Sequence, residues 1–190
     1  MLFRYLVFLL LSAAGGVVSA QSFDINLSND TAEFNLNAPL SSGFQSGRTD
    51  MNFGFLYTTD DDYMGMVGLQ VMGSAGSGSP GLSAGLGVKA FGGNTDRDND
   101  FIAITLGGRV SYSPPSLERL SLEAYLNYSP DIVTLLDADN FIYWGGRVSY
   151  KLLEQANVFL GYRDVRIDPS HRGSHETIDN GGNIGVEVFF

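Results

Sequence analysis

One polar segment near the end of the chain holds residue types that could perform hydrolysis. His171 and His175 lie among hydroxyl and carboxylate side chains, namely Ser170, Ser174, Glu176 and Asp179. Hydrolysis by serine, histidine and acid requires a nucleophile hydrogen-bonded to a base that a carboxylate orients. Nothing in this spacing fixes such geometry, and two histidines do not specify a metal site. We therefore expect an exposed loop and no catalytic or metal-binding residues, with a rim-site lipid- or peptide-hydrolysing enzyme as an alternative.

Two acidic runs could attract cations. Asp96, Asp98 and Asp100 alternate as at the start of a calcium loop, but the glycine and glutamate that complete such a loop are missing. Asp60–Asp62 form a similar run. These runs predict exposed acidic loops. If they have a function, it would be weak binding of divalent cations that bridge to lipopolysaccharide phosphates. The chain contains no phosphate-cradling loop, nucleotide fingerprint or nucleophile elbow, so we expect no cofactor.

A repeated hexapeptide places charge inside apolar stretches. GGRVSY occurs at Gly107–Tyr112 and again at Gly145–Tyr150, so Arg109 and Arg147 each interrupt an apolar, glycine-rich run. If both runs are strands, each arginine points to the face opposite its valine and tyrosine, because side chains alternate along a strand. The arginines would then face an interior and the apolar residues would face lipid.

Alternation with a period of two extends along most of the chain, which predicts an all-β protein. Eight long strands are expected at about 48–58, 63–72, 82–92, 100–112, 118–128, 140–152, 156–167 and 181–190. Segments of roughly ten residues match tilted transmembrane strands, and connections that alternate between short and long are typical of outer-membrane barrels. The long connections include Ser129–Asn140 and Asp168–Asn180. We predict an antiparallel up-and-down transmembrane β-barrel.

A short hairpin at 22–38 precedes the eight long strands, because two alternating apolar runs flank an Asn-Asp turn. The barrel has eight strands without this hairpin and ten with it, and we favour ten because bacterial barrels have even strand numbers. Tyr63–Val88 carries no charge and is long enough for a membrane helix. Its glycine, serine and proline content favours two strands and a turn instead.

The first twenty residues have the features of a secretory signal peptide. Arg4 precedes the apolar run Tyr5–Leu11, and Val18-Ser19-Ala20 offers a cleavage site before Gln21. A membrane anchor is the less favoured alternative, since the apolar run is short. The remaining residues, 21–190, are expected to form one barrel domain. The chain has no cysteine, and its net charge of −10 argues against nucleic-acid binding.

Symmetry about the connections predicts how the charges meet. A turn centred on Ser116 places Glu123 opposite Arg109, and a loop centred on Leu135 places Glu123 opposite Arg147. Both centres fall inside predicted connections. The three residues should therefore form one row inside a narrow barrel, where arginine forks pair with carboxylates.

The row continues toward the last strand. A hairpin centred on Glu154 places Gly161 beside Arg147, and Glu187 would follow Gly161. A glycine at this point leaves room for long side chains to cross. We predict a structural charge row of Arg109, Glu123, Arg147 and Glu187, with selection of a ligand or ion as the alternative.

The final strand carries a second pattern. Ile184, Val186, Val188 and Phe190 alternate and end on an aromatic residue. This arrangement is typical of the terminal signal that outer-membrane barrels present to their assembly machinery. Aromatic residues are also expected near both rims, as in the interfacial girdles of membrane barrels.

Several segments resemble the YfaZ family of Gram-negative outer-membrane proteins, including NLSNDTAEFNL, GRTDMNFGFLYTTDDDYMGMVGLQV, LGGRVSYSPPSLERLSLEAYLNYSPDI and NVFLGYRDVRID. The resemblance spans most of residues 21–190. It implies a signal-directed barrel in the cell outer membrane, in contact with lipid and lipopolysaccharide. It implies no substrate and no catalytic residue.

These observations predict a small outer-membrane β-barrel, structural or porin-like, with a lumen filled by side chains. A narrow channel for ions or small solutes is one alternative, and the rim-site hydrolase is another. A soluble periplasmic barrel is a further alternative, because glycine and polar residues dilute the apolar belt. The pattern specifies no transported solute, partner protein or oligomeric state.

Overall fold

β-Strands account for nearly all of the chain that the computed structural model describes, which is residues 22–44, 47–76, 78–95, 100–136, 138–169 and 176–190. The predicted signal peptide, residues 1–20, lies outside these ranges. The strands are β1 (Ser22–Leu27), β2 (Thr31–Phe44), β3 (Gly47–Thr58), β4 (Tyr63–Ser74), β5 (Leu82–Asn94), β6 (Asp100–Tyr112), β7 (Leu120–Ser129), β8 (Thr134–Leu136), β9 (Ala138–Leu153), β10 (Ala156–Pro169) and β11 (Glu176–Phe189). A 3-10 turn at Asp131–Val133 separates β7 from β8.

The sheet closes into an antiparallel barrel with ten places in its wall. β1 pairs with β2 on one side and with β11 on the other, where Ser22 lies opposite Phe189. β7 and β8 both pair with β6, at different heights, so they share one place. The prediction of a ten-stranded barrel, with the N-terminal hairpin in the wall, is therefore confirmed. No helix long and apolar enough to cross a membrane occurs among the described residues.

Burial along the strands is the reverse of that in a soluble protein. The outward side chains are large and apolar, and Leu86, Leu106 and Leu160 are among the most exposed large apolar residues described. Many inward side chains are polar or charged yet buried. Aromatic residues lie on the outer face near the strand ends, at Tyr57, Tyr63, Tyr112, Tyr128 and Tyr150. This distribution matches a lipid-facing belt with aromatic girdles.

Two predicted loops are partly strand, which corrects the sequence-based expectation. Ser129–Asn140 contains β8, whose residues pair with the start of β6. Within Asp168–Asn180, β10 reaches Pro169 and β11 begins at Glu176. The predicted hairpin at 22–38 is also too short, since β2 runs to Phe44. In these segments the alternation of apolar and polar residues breaks down, so periodicity did not predict them as strand.

Inward glycines make room for long neighbouring side chains. A Cβ atom on Gly68 would lie 2.4 Å from Cγ of Lys89, and one on Gly145 would lie 2.6 Å from the Tyr125 hydroxyl. A Cβ on Gly107 would lie 2.2 Å from the Asn127 side chain. The glycines therefore allow large polar residues on the next strand to lie across the wall and fill a narrow lumen.

Candidate functional site

The lumen divides into two halves along the barrel axis. The terminal rim is the end of the barrel where Ser22 and Phe189 lie, and the loop rim is the opposite end. The large inward residues near the loop rim are mostly apolar, and most inward residues near the terminal rim are polar or charged. The lumen is the candidate functional site because a barrel acts on solutes through what its interior admits or holds.

An apolar plug fills the loop-rim half. It consists of inward residues from seven of the strands: Leu56, Met64, Met66, Phe91, Phe101, Ala103, Phe141, Tyr143, Val165, Ile167 and Ile178. Stacked and tilted rings form its centre, with centroid distances of 4.7 Å between Phe91 and Phe141 and 5.6 Å between Phe101 and Phe141. Tyr143 lies 5.5 Å from Phe91 and 5.3 Å from the Tyr125 ring. Packing of this kind leaves little space for solutes.

A central cluster lies beneath the plug and consists of Glu33, Tyr143, Arg163 and Asp179. Arg163 is fully buried, and its guanidinium donates to carboxylate oxygens of Glu33 and, at 2.6 Å, of Asp179. The Tyr143 hydroxyl donates to the other Glu33 oxygen at 2.9 Å. Thr31 donates to Asp179 at 2.9 Å. The cluster ties β2, β9, β10 and β11 together across the interior.

Five charged residues form a charged layer nearer the terminal rim: Asp24, Arg109, Glu123, Arg147 and Glu187. Arg147 lies within 4 Å of three carboxylates, at 3.3 Å from Glu123, 3.6 Å from Glu187 and 3.8 Å from Asp24. Arg109 reaches the second Glu123 oxygen at 3.6 Å. The Arg147 guanidinium also covers the Phe159 ring, 4.9 Å from its centroid. The structure thus brings together all four residues of the predicted row and adds Asp24.

The register of the row differs from the prediction at two points. Glu123 lies directly opposite Arg147, and Gly161 also lies opposite Arg147, as the loop centres predict. Arg109, however, lies opposite Tyr125 and meets Glu123 only on the diagonal. The reason is that two consecutive turns between β6 and β7 move the centre of this hairpin by one residue.

Glu187 is the second difference. It lies opposite Asp24 and Asn157 in the sheet, while Gly161 lies opposite Asn183. Glu187 still contacts Arg147 because barrel strands are tilted. Side chains that lie at the same height along the barrel axis are therefore not the ones that lie opposite each other in the sheet. Symmetry about turns predicts pairing in the sheet, but tilt decides which side chains meet in the lumen.

The central cluster was not predicted from the sequence, although the alternation of side chains indicates that Arg163 and Glu33 point inward. Arg163 shares the inward face of β10 with Gly161, and Glu33 lies on the inward face of β2. Nothing in the sequence indicates that these strands face each other across the lumen. That proximity arises only when β1 closes on β11.

The other predicted features lie on the outside or beyond the described residues. Ile184, Val186, Val188 and Phe190 are all exposed on the outer face. His171, His175, Asp96 and Asp98 lie outside the described residues. Among the residues that are described, no group of three or more histidine or acidic side chains could hold a metal ion. In the other acidic run, Asp61 accepts a hydrogen bond from the Tyr57 hydroxyl at 2.9 Å.

A cavity of about 50 Å³ separates the plug from the charged layer. Its lining includes Asp24, Glu33, Lys89, Arg109 and Glu123. A second, smaller pocket of about 10 Å³ adjoins it and shares Lys89 and Arg109. A cavity of roughly 10–15 Å³ holds one water molecule, so the two spaces hold a few waters between them. These volumes suit hydration of the buried charges and do not form a wide pore.

Comparison with known proteins identifies the fold and the family match. The family model described as "YfaZ precursor" matches residues 2–190. A structure titled "KdgM porin" is similar over 90% of this chain and 99% of its own, at 11% identity and a TM-score of 0.52. "KdgM porin in complex with disordered oligogalacturonate" covers 89% and 99%, at 12% identity and a TM-score of 0.50. No curated protein matches the chain.

The structural likeness shows that the fold is that of a small porin barrel. The apolar outer face agrees with a position in lipid and leaves no support for a soluble periplasmic barrel. The chain is thus a small porin-like β-barrel of the cell outer membrane.

Proposed function

We propose that this chain, which belongs to the YfaZ family, is a closed porin-like barrel that serves a structural role in the outer membrane. The apolar plug holds the lumen shut on the loop-rim side. The charged layer leaves the other half polar and open to water at the terminal rim. We place the terminal rim in the periplasm, because outer-membrane barrels have short turns on the periplasmic side. No substrate is part of this proposal.

One chain of contacts carries the proposal. Glu33 on β2 accepts a hydrogen bond from Tyr143 on β9, and β1, β11 and β10 separate these two strands in the wall. The Tyr143 ring packs against Phe91 on β5, on the far side of β6 and β7. All three residues are at least 95% buried. Contacts therefore run from wall to wall across the lumen, which is the arrangement expected of a plug.

The narrow channel is the second candidate, and the cavity beside Lys89 and Arg109 is the observation that favours it. Charged side chains and space for a few water molecules lie in the middle of the lumen, so displacement of the plug would complete a path for ions. The serines and histidines of the hydrolase alternative, within residues 170–175, lie outside the described residues, while its acid Asp179 is paired with Arg163 inside the barrel. We propose no enzymatic activity.

Conductance in planar bilayers separates the closed barrel from the channel. The folded protein should show no steady conductance, while Phe91→Ala combined with Tyr143→Ala should conduct because two rings leave the plug. Leu126→Ala is the matched control, since Leu126 lies on the outer face and its truncation leaves the plug intact. Steady conductance of the unmodified protein, equal to that of the double variant, would establish the channel instead.

The last strand supports a second proposal, about assembly. The last strand presents an exposed apolar row on its outer face, formed by Ile184, Val186, Val188 and Phe190. We propose that the barrel assembly machinery recognises this row before lipid and lipopolysaccharide surround it. Deletion of Phe190 should slow assembly and lower the amount of heat-modifiable barrel in outer-membrane fractions. Leu153→Ala, a change of an exposed residue at the end of β9, is the control. Normal assembly of the truncated chain would argue against recognition of Phe190.

A further inference from the structure

The smaller of the two lumenal pockets has an unusual balance of charge. It lies where β4, β5, β6 and β7 adjoin, and its polar lining comes from Gln70, Lys89, Arg109, Tyr125 and Asn127. Lys89 and Arg109 are its charged lining residues, and no carboxylate of the described chain contributes to it. The pocket therefore presents two positive charges to a space of about 10 Å³.

Lys89 is a buried cation for which the described residues provide no partner. Its side chain lies across Gly68 and is 91% buried. Within the described residues its ammonium group makes no ion pair and no hydrogen bond. The nearby acids are occupied elsewhere, because Glu33 binds Arg163 and Glu123 is shared by Arg147 and Arg109. A buried charge without a counter-charge is strongly unfavourable.

Arg109 is only partly satisfied. Its Nε atom is buried and has no hydrogen-bond partner among the described residues. The one ion pair that Arg109 forms with a described residue joins it to Glu123; this contact is long at 3.6 Å, and Glu123 is shared with Arg147. The pocket thus holds two under-neutralised cations on neighbouring strands, and an anion between them would relieve both.

The remaining walls suit a small anion. Gln70 and Asn127 are buried amides that can present N–H donors, since amide orientation follows the hydrogen-bond network. Gly87 and Gly107 leave the floor of the pocket without side chains. The volume is that of roughly one sphere of the size of water, so the pocket holds at most a single small ion and excludes phosphate or a sugar acid.

We propose that this pocket binds a single halide ion, chloride under ordinary conditions, between Lys89 and Arg109. The ion places a counter-charge next to Lys89, with which no carboxylate among the described residues forms an ion pair. The proposal does not depend on whether the plug closes the barrel, because a bound chloride would neutralise Lys89 in either case.

Thermal unfolding of the folded protein in detergent tests the proposal. Gluconate is too large for the pocket, so replacing sodium gluconate by sodium chloride at equal ionic strength should raise the Tm by about 2–4 °C. Lys89→Gln should fold, since it removes an unpaired buried cation, and should lose this shift. Arg48→Gln is the control, because it removes the same charge from a residue at the terminal rim that pairs with Asp50 outside the pocket.

The proposal is overturned if the unmodified protein shows no chloride-dependent shift or if Lys89→Gln retains it. Crystals of the unmodified protein grown in sodium bromide give a test that needs no variant. An anomalous bromide peak between Lys89 and Arg109 would support the site. Bromide peaks confined to the protein surface would reject it.

Discussion

The two halves of the lumen are filled by different physical means. The apolar plug excludes water through ring packing, and its residues come from the loop-rim ends of the strands. The charged layer is held by ion pairs of 3.3–3.8 Å whose members remain 6–23% exposed. Packing closes a lumen whatever the salt concentration, whereas partly wet ion pairs weaken as salt rises. We therefore expect the apolar plug to close the lumen, and the ion pairs of the charged layer to weaken or strengthen with salt concentration.

The central cluster joins the two halves, and its loss should give the largest effect. Arg163→Met leaves Glu33 and Asp179 buried without their cation, which typically costs about 3–5 kcal/mol in a dry interior. We expect unfolding in detergent to occur at a clearly lower temperature. The free energy of unfolding from heat or denaturant titration measures this loss.

Arg166→Met is the control for that variant. Arg166 lies on the same strand, and its side chain is 47% exposed and pairs with Asp164. The partner Asp164 is fully buried but keeps a hydrogen bond from Asn180, so this replacement should cost clearly less than Arg163→Met. Equal effects of the two variants would show that the Arg163 cluster is not the structural junction described above.

Removing the shared acid of the charged layer should have an intermediate effect. Glu123→Ala leaves Arg109 without an ion pair, while Arg147 keeps Asp24 and Glu187. In a dry interior such a change would lower the free energy of unfolding by about 3–5 kcal/mol. Partial exposure screens these charges, so we expect Glu123→Ala to lower it by about 1–3 kcal/mol. The loss should fall at high salt if ion pairing governs this half of the lumen. Unfolding titrations at two salt concentrations measure both quantities.

Replacing Arg109 and Glu123 together should have the smallest effect on stability. Arg109→Met combined with Glu123→Leu takes away both charges and leaves Arg147 with two acids, so the cost should be below that of Glu123→Ala alone. The same unfolding titrations compare the two variants. If the double variant is the less stable one, the long Arg109–Glu123 contact matters more than its 3.6 Å separation indicates.

The wall could be predicted from the sequence because the lipid face repeats every second residue. The predicted strand at 100–112 agrees with β6 to the residue, and the one at 63–72 is two residues short of β4. β8 could not be predicted, since its three residues pair with β6 only after a 3-10 turn returns the chain to the wall.

The lumen could be predicted only in part. Alternation places Arg109, Glu123, Arg147 and Glu187 inside, and they do meet. Their exact partners follow from turn geometry and strand tilt, neither of which periodicity contains. A lumen filled by side chains was predicted, but the apolar composition of its loop-rim half was not, because Phe91, Phe101 and Phe141 occupy inward positions where a lumen pattern leads one to expect polar residues.

The central claim is that the loop-rim half is sealed while the terminal half is wet, and a matched pair of cysteines on one strand tests it most directly. Ala103 and Ser111 are small inward residues of β6, the first fully buried in the plug and the second partly exposed near the terminal rim. The natural chain has no cysteine. In folded protein, a charged thiol reagent should label Ser111→Cys and leave Ala103→Cys unlabelled until Phe91→Ala is added. Equal labelling rates for the two single variants would contradict the account.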